Sequence, residues 1–139
     1  MADPSDFAAL LPGDVIPPVE LLVDRLALVR YAGAADDYVA QHWDHPFMTG
    51  QGYPDVIVHG WLTSAHMCRA VTDWMPPDVA HIGAFAVRYR LPLFPGMLRC
   101  GGEVVEADAG QAKLALWARN AGGDTVATAS MTLERLFIP

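Results

Sequence analysis

The densest run of residues able to do chemistry reads Ala34-Ala35-Asp36-Asp37-Tyr38-Val39-Ala40-Gln41-His42-Trp43-Asp44-His45. Asp37 and His42 stand five apart in a stretch without helical apolar spacing. A carboxylate and an imidazole so placed can converge on one water molecule, one group taking a proton while the other orients or delivers it. The same residues also have a purely structural reading, in which Asp36 or Asp37 ends a helix or begins a turn. A second run, Val56-Ile57-Val58-His59-Gly60-Trp61-Leu62-Thr63, carries an apolar segment through His-Gly into a helix. The first N–H groups of a helix lack internal partners and carry partial positive charge, so a carbonyl oxygen that becomes anionic is stabilised there. Gly60 lets a substrate approach that backbone with no side chain in the way. The structural alternative is a tight strand-to-helix turn at Gly60, with His59 a hydrogen-bonded support.

The elements that must position these residues fall into two halves, divided near Met75-Pro76-Pro77. Pro12, Pro17 and Pro18 keep the opening segment extended, and residues 19–23 read as a short strand. Asp24 can cap a helix over 25–35, where Leu28, Tyr31, Ala32 and Ala35 recur at helical spacing. Residues 38–57 are punctuated by Pro46, Gly50, Gly52 and Pro54 and read as a loop with one helical turn. Over 60–74 apolar residues go nearly all the way round a helix, which predicts that it is enclosed. The period then changes to two, with Phe85, Val87, Tyr89 and Leu91 on one face and Arg88 and Arg90 on the other. Strands follow over 98–106, 112–119 and 125–136, separated by turn signals at Asp108-Ala109-Gly110 and at 120–124. One buried helix and a run of antiparallel strands predict an α+β domain whose curved sheet wraps around a long central helix. Such a sheet leaves an edge and an open face, so a homodimer or a heterodimer is expected.

The chain has 139 residues, 53% of them hydrophobic, enough for one domain spanning 1–139 with a single core. Nine basic residues against sixteen acidic ones leave a net charge of −7, and Lys113 is the only lysine. That balance argues against a nucleic-acid or anionic-membrane surface. The isolated Cys68 and Cys100 form no CxxC pair and suit a reducing cytoplasm. The opening residues are acidic, without a basic stretch or apolar run, so no signal peptide is expected. Nor does any segment have the apolar length of a membrane-spanning helix.

Tyr31-Ala32-Gly33, then Asp37, His42, Trp43 and Asp44, then His59-Gly60 and Leu62-Thr63 together resemble the MaoC-like hydratases and dehydratases of the hot-dog fold. Their motif runs roughly A-[ST]-G-D-x-N-P-x-H-x-D, with [AV]-H-G-[MFW]-L about fifteen residues further on, and the resemblance extends from about Leu22 to the C-terminus. It implies Asp37 and His42 as the catalytic dyad. The Gly60 N–H, with His59 beside it, would bind and polarise a thioester carbonyl. The implied reaction is hydration of an enoyl thioester, carried on CoA or an acyl carrier protein, to the R-3-hydroxy product, or the reverse, without cofactor or metal. A histidine imidazole exchanges protons near neutral pH, as that chemistry requires. This chain departs from the pattern in having Asp36 for the usual Gly, Val39-Ala40 for Asn-Pro, and Cys68 where some members carry serine.

Three other readings are weighed against this one. His42, Asp44, His45, His59 and His66 are suitable metal ligands by type, yet no H-x-x-x-H or H-E-x-x-H pair anchors two of them on one helix face. A non-catalytic acyl-binding subunit of a heteromeric hydratase is the second, and a hot-dog thioesterase the third. Of the aromatics, Trp43, Trp61, Trp74, Phe85, Tyr89 and Trp117 are expected mostly in the core, with Trp43, Trp61 or Phe85 the candidates for an acyl pocket. Arg69, Arg88 and Arg90 are candidates for carrier phosphates.

Overall fold

The computed structural model describes residues 6–136. Met1 to Ser5, the first part of the opening segment 1–18 in which no signal peptide is expected, and residues 137–139 of the single-domain span lie outside the described residues. Strand β1 (Val15–Val23) leads into helix α1 (Arg25–Ala35), a 3-10 turn (Ala40–His42), a short helix α2 (His45–Gly50) and the long helix α3 (Gly60–Trp74). Strands β2 (Ala80–Tyr89), β3 (Gly96–Ala107), β4 (Gln111–Arg119) and β5 (Thr125–Arg135) complete the chain. All five strands form one antiparallel sheet in the order β1-β3-β4-β5-β2. Helix α3 packs against β1, β3 and β4, burying Met67, Ala70, Val71 and Trp74 among Leu98, Leu114, Leu116 and Met131 of one core. This is the α+β hot-dog arrangement, a sheet wrapped on one long helix.

Local chemistry explains where the elements begin and bend. Asp24 caps α1 by accepting from Ala27 N at 2.8 Å, and Asp44 caps α2 by accepting from Phe47 N at 3.0 Å. Strand β1 starts four residues earlier than its apolar alternation suggested. It lies at the sheet edge, and its register shifts between Ile16 and Val19, so Pro17 and Pro18 fall where no ladder N–H is required. Strand β2 also starts earlier, at Ala80. A bulge between Ile82 and Ala84 reverses which residues face inward, and so hid its first half from a strict period of two.

Helix α3 is less enclosed than its composition predicted. Trp61 is 66% exposed, and Ala65 and Arg69 continue a surface stripe at four-residue spacing. Trp43 and Tyr89 are likewise at the surface rather than in the core, whereas Trp74 is buried. The loop over 38–57 contains both the 3-10 turn and α2, more regular structure than the one helical turn expected.

Helix α1 ends at Asp36, whose φ of 54° and ψ of 34° put it in the left-handed region. It is the only non-glycine residue there among those described. A side chain in that conformation costs about 1 kcal/mol relative to glycine, somewhat less for aspartate. Asp36→Gly is therefore expected to raise stability by about 0.5–1 kcal/mol, read from the urea unfolding midpoint. An unchanged or lowered midpoint would show that the Asp36 side chain contributes an interaction of its own.

Candidate active site

The turn at Asp36 delivers Asp37 into the domain, with its N–H bonded to the Ala32 carbonyl at 3.1 Å. The 3-10 turn that follows buries His42 to 6% exposure. His42 Nδ1 donates to the Ile57 carbonyl at 2.6 Å. A carbonyl oxygen only accepts, so Nδ1 carries the hydrogen and Nε2 presents a lone pair that can accept a proton or a hydrogen bond. Nε2 lies 4.0 Å from Asp37 Oδ2 and 3.1 Å from the Gln41 amide nitrogen. The dyad distance is too long for a direct hydrogen bond, but a single oxygen can stand within hydrogen-bonding distance of both groups.

His59 closes the arrangement from behind. Its ring stacks on His42 with centroids 3.8 Å apart and planes 19° from parallel, while Tyr31 packs on it at 4.8 Å. His59 Nε2 donates to the backbone carbonyl of Asp37 at 3.3 Å, and its buried Nδ1 has no hydrogen-bond partner. Burial pushes the His59 pKa below the ordinary value. The Asp37 carbonyl and carboxylate oppose that shift, and the neighbouring His42 adds to it. His59 is 1% exposed and touches both dyad residues, so it supports them rather than facing a ligand. Asp37, His42 and His59 each bring a potential metal-ligating atom within 4.8 Å of the others. Stacking, however, sets the in-plane lone pairs of the two imidazoles side by side instead of converging on a point, a poor match to a tetrahedral site. Asp44 is committed to capping α2.

Gly60 is the first residue of α3, and His59 places no side-chain cap on that turn. Its N–H therefore lacks an intrahelical partner. Gly60 and His42 line one cleft of about 340 Å³, together with Gln41, Thr63, Tyr89 and Arg90. The Tyr89 ring lies directly over Gly60, where an added Cβ would come within 2.9 Å of Cζ. The Tyr89 hydroxyl is hydrogen-bonded to Ser64 Oγ at 2.7 Å. The unpartnered Gly60 N–H and the His42 imidazole thus border the same space.

A sequence model of the MaoC like domain matches residues 11–117. The chain belongs to the MaoC-like family. Comparison with curated protein sequences finds no significant match. The ChsH1-ChsH2 complex from Mycobacterium tuberculosis contains a chain 28% identical to this MaoC-like domain, with a TM-score of 0.82, covering 91% of this chain and 98% of that one. R-hydratase PhaJ1 from Pseudomonas aeruginosa is 19% identical, with a TM-score of 0.85 and coverage of 96% and 92%. The (R)-hydratase of A. caviae involved in PHA biosynthesis is 19% identical, with a TM-score of 0.83 and coverage of 90% and 96%.

All four site residues singled out in the sequence, Asp37, His42, His59 and Gly60, gather in one place in the MaoC-like domain. Of the three arginines, Arg90 reaches the cleft. Gln41, Tyr89 and Ser64 escaped sequence reasoning. Gln41 was adjacent to the dyad, but nothing in the pattern aimed it at His42 Nε2. Tyr89 comes from an edge strand 29 residues beyond Gly60, and Ser64 looked like an ordinary helix residue. Cys68, the position matched to a family serine, is half-buried, and burial pushes its thiol pKa up.

Burial also lowers the pKa of His66, reinforced by the charge of Arg69. For both His59 and His66 the folded pKa lies below the unfolded value of about 6.5. Above that pH both are neutral whether folded or not, and their contribution to stability is fully present. As pH falls below it the unfolded chain takes up protons first, so stability is lost towards the lower folded pKa values. Urea midpoints are expected to fall between about pH 7.5 and 5.5, with a shallower decline in His66→Gln. A flat midpoint in the parent protein would contradict this.

Proposed function

We propose that this chain is a hydro-lyase that adds water to an α,β-unsaturated acyl thioester, or eliminates it from the 3-hydroxyacyl thioester. The observation that carries the proposal is that His42 lies 4.0 Å from Asp37 and lines one cleft with Gly60, the uncapped first residue of α3. A thioester carbonyl oxygen at the Gly60 N–H would find a donor for the charge that builds on it as a nucleophile attacks C3. A water between Asp37 and His42 would surrender a proton to the Nε2 lone pair while its oxygen bonds to C3. The dyad would then return a proton to C2, so that H and OH are added in sum and nothing is oxidised. Dehydration runs through the same groups in reverse. The R-3-hydroxy isomer is the product expected from the family resemblance. Gln41 donates to Nε2 in the resting site and would have to share or yield that position to water.

Arg90 at the cleft offers a cation to the anionic carrier, CoA or an acyl carrier protein. Strand β2 ends the sheet, and its outer edge pairs with no described strand. We propose that a second hot-dog subunit, identical or not, covers it. The ChsH1-ChsH2 complex supports a non-identical partner as one form. Free Cys68 and Cys100 fit a reducing cytoplasmic setting, and no helix among the described residues is long and apolar enough to cross a membrane.

The test is the loss of enoyl-thioester absorbance when crotonyl-CoA and longer enoyl-CoAs are mixed with the protein, with thiol release monitored in parallel. Hydration without free thiol is the expected result. Thiol release would favour a thioesterase. Silence at every chain length, by the protein alone and with a hot-dog partner added, would favour a non-catalytic acyl-binding subunit.

A further inference from the structure

Tyr89 brings a phenol from the end of β2 to the start of α3. Cζ, the ring atom that carries the hydroxyl, is the part of the ring nearest to Gly60, 2.9 Å from where a Cβ would stand, with both Cε atoms at 3.2 Å. Tyr89 lines the cleft that His42 and Gly60 share, and it is 47% exposed. Burial, then the Asp37 carboxylate, then Tyr89 push the Tyr31 pKa up, so Tyr89 also lies within electrostatic reach of the Asp37 side of the site.

Counting hydrogens shows which way the Tyr89 hydroxyl donates. Two hydroxyls 2.7 Å apart, Ser64 and Tyr89, have two hydrogens and one hydrogen bond between them, so one hydrogen is left over. Ser64 is 3% exposed and does not line the cleft, and Tyr89 is the only partner of its Oγ among the described residues. If Tyr89 donated, the Ser64 hydrogen would be buried with no acceptor, the costly arrangement. With Ser64 as donor the buried hydroxyl is satisfied, and the hydrogen left over belongs to Tyr89, at the cleft, where a ligand can accept it. We infer that the Tyr89 hydroxyl is a second donor to the substrate's thioester carbonyl oxygen, beside the Gly60 N–H, with Ser64 the residue that positions it. The inference rests on the hydro-lyase reading and deepens it. Two donors suit an oxygen with two lone pairs that gains negative charge as water adds at C3. The hydroxyl keeps its proton throughout, so the H and OH added are still those moved by Asp37 and His42.

Tyr89→Phe keeps the ring over Gly60 and deletes the hydroxyl. It is expected to lower kcat for enoyl-CoA hydration about 10²-fold with little change in KM, the effect of losing one oxyanion donor. Ser64→Ala leaves the donor in place but unanchored, and is expected to lose only about ten-fold. The direct readout is the absorbance of 4-(dimethylamino)cinnamoyl-CoA, whose band moves to the red when its carbonyl is polarised. It is measured at saturation on Asp37→Asn, where the probe is not turned over, and on that variant with Tyr89→Phe or Ser64→Ala added. A red shift is expected on Asp37→Asn, much of it lost with Tyr89→Phe and most of it kept with Ser64→Ala, which breaks the same hydroxyl pair and so controls for a structural effect. Equal shifts in all three variants overturn the assignment, as do equal losses from Tyr89→Phe and Ser64→Ala, or a Tyr89→Phe rate equal to the parent's. No red shift, or no binding, on Asp37→Asn itself overturns it as well. A red shift that depends on Tyr89, without hydration of any enoyl thioester, sustains the donor and removes only the hydro-lyase reading.

Discussion

His42→Ala is expected to lower enoyl-thioester hydration by about 10²–10⁴-fold, with Asp37→Asn losing at least about 10²-fold, the range for removing a positioned acid–base group. In His42→Ala the loss has two parts. The Nε2 lone pair that takes the proton from water disappears, and so does the ring that His59 stacks on and that the Ile57 carbonyl holds. Asp37→Asn is the cleaner probe. An asparagine can keep the place of the carboxylate and still accept from Val39 N, as Asp37 Oδ1 does at 3.4 Å, but it can no longer serve as a base. Both variants should fold, as judged by circular dichroism and an unfolding midpoint close to that of the parent. Wild-type turnover in either would remove that residue from the mechanism, and loss of folded protein in His42→Ala would shift the weight of evidence to Asp37→Asn.

Gly60→Ala should cost roughly 10²-fold in kcat with little change in KM, an effect of the size seen when an oxyanion donor is disturbed. The added Cβ would stand 2.9 Å from Tyr89 Cζ and 3.2 Å from both Cε atoms. The tyrosine does not swing aside freely, because its hydroxyl is anchored to Ser64 Oγ. Either that hydrogen bond breaks or the first turn of α3 shifts, and a shift carries the Gly60 N–H away from the position the thioester oxygen needs. The collision itself can be tested by adding Tyr89→Ala. If the two residues interfere as described, the double variant retains more activity than the product of the two single losses allows. Strict multiplicativity would place the Gly60→Ala defect elsewhere, and full activity in Gly60→Ala alone would discount Gly60 as the donor.

Helices α1 and α3 were readable because their signals are local. Asp24 and the Leu28-Ala32 spacing set one, and the change from Val56-Ile57-Val58 to a continuous apolar helix through Gly60 set the other. The edge strands were harder to delimit. The prolines in β1 look disqualifying until the strand is known to lie at an edge, and the bulge at Gly83 inverts the alternation of β2 part-way along. Exposure was misjudged at Trp43, Trp61 and Tyr89 for a related reason. Composition says that a residue is apolar, but which apolar residues a sheet can cover depends on where the sheet ends.

What the sequence by itself determined was the inventory and the local geometry: one α+β domain, a helix that starts at Gly60 with an uncapped first turn, and a carboxylate and imidazole spaced five residues apart on a loop. Torsional preference, capping and periodicity act over a few residues, so they can be read along the chain. Only the tertiary structure decided that Asp37 and His42 stand 4.0 Å apart, with His59 stacked behind them. It also decided that Tyr89 covers Gly60 and that His42 and Gly60 share a cleft. Those relations join residues from the loop, α3 and β2, segments distant in sequence. They exist because packing β1, β3 and β4 on α3 leaves one arrangement in which the remaining side chains fit.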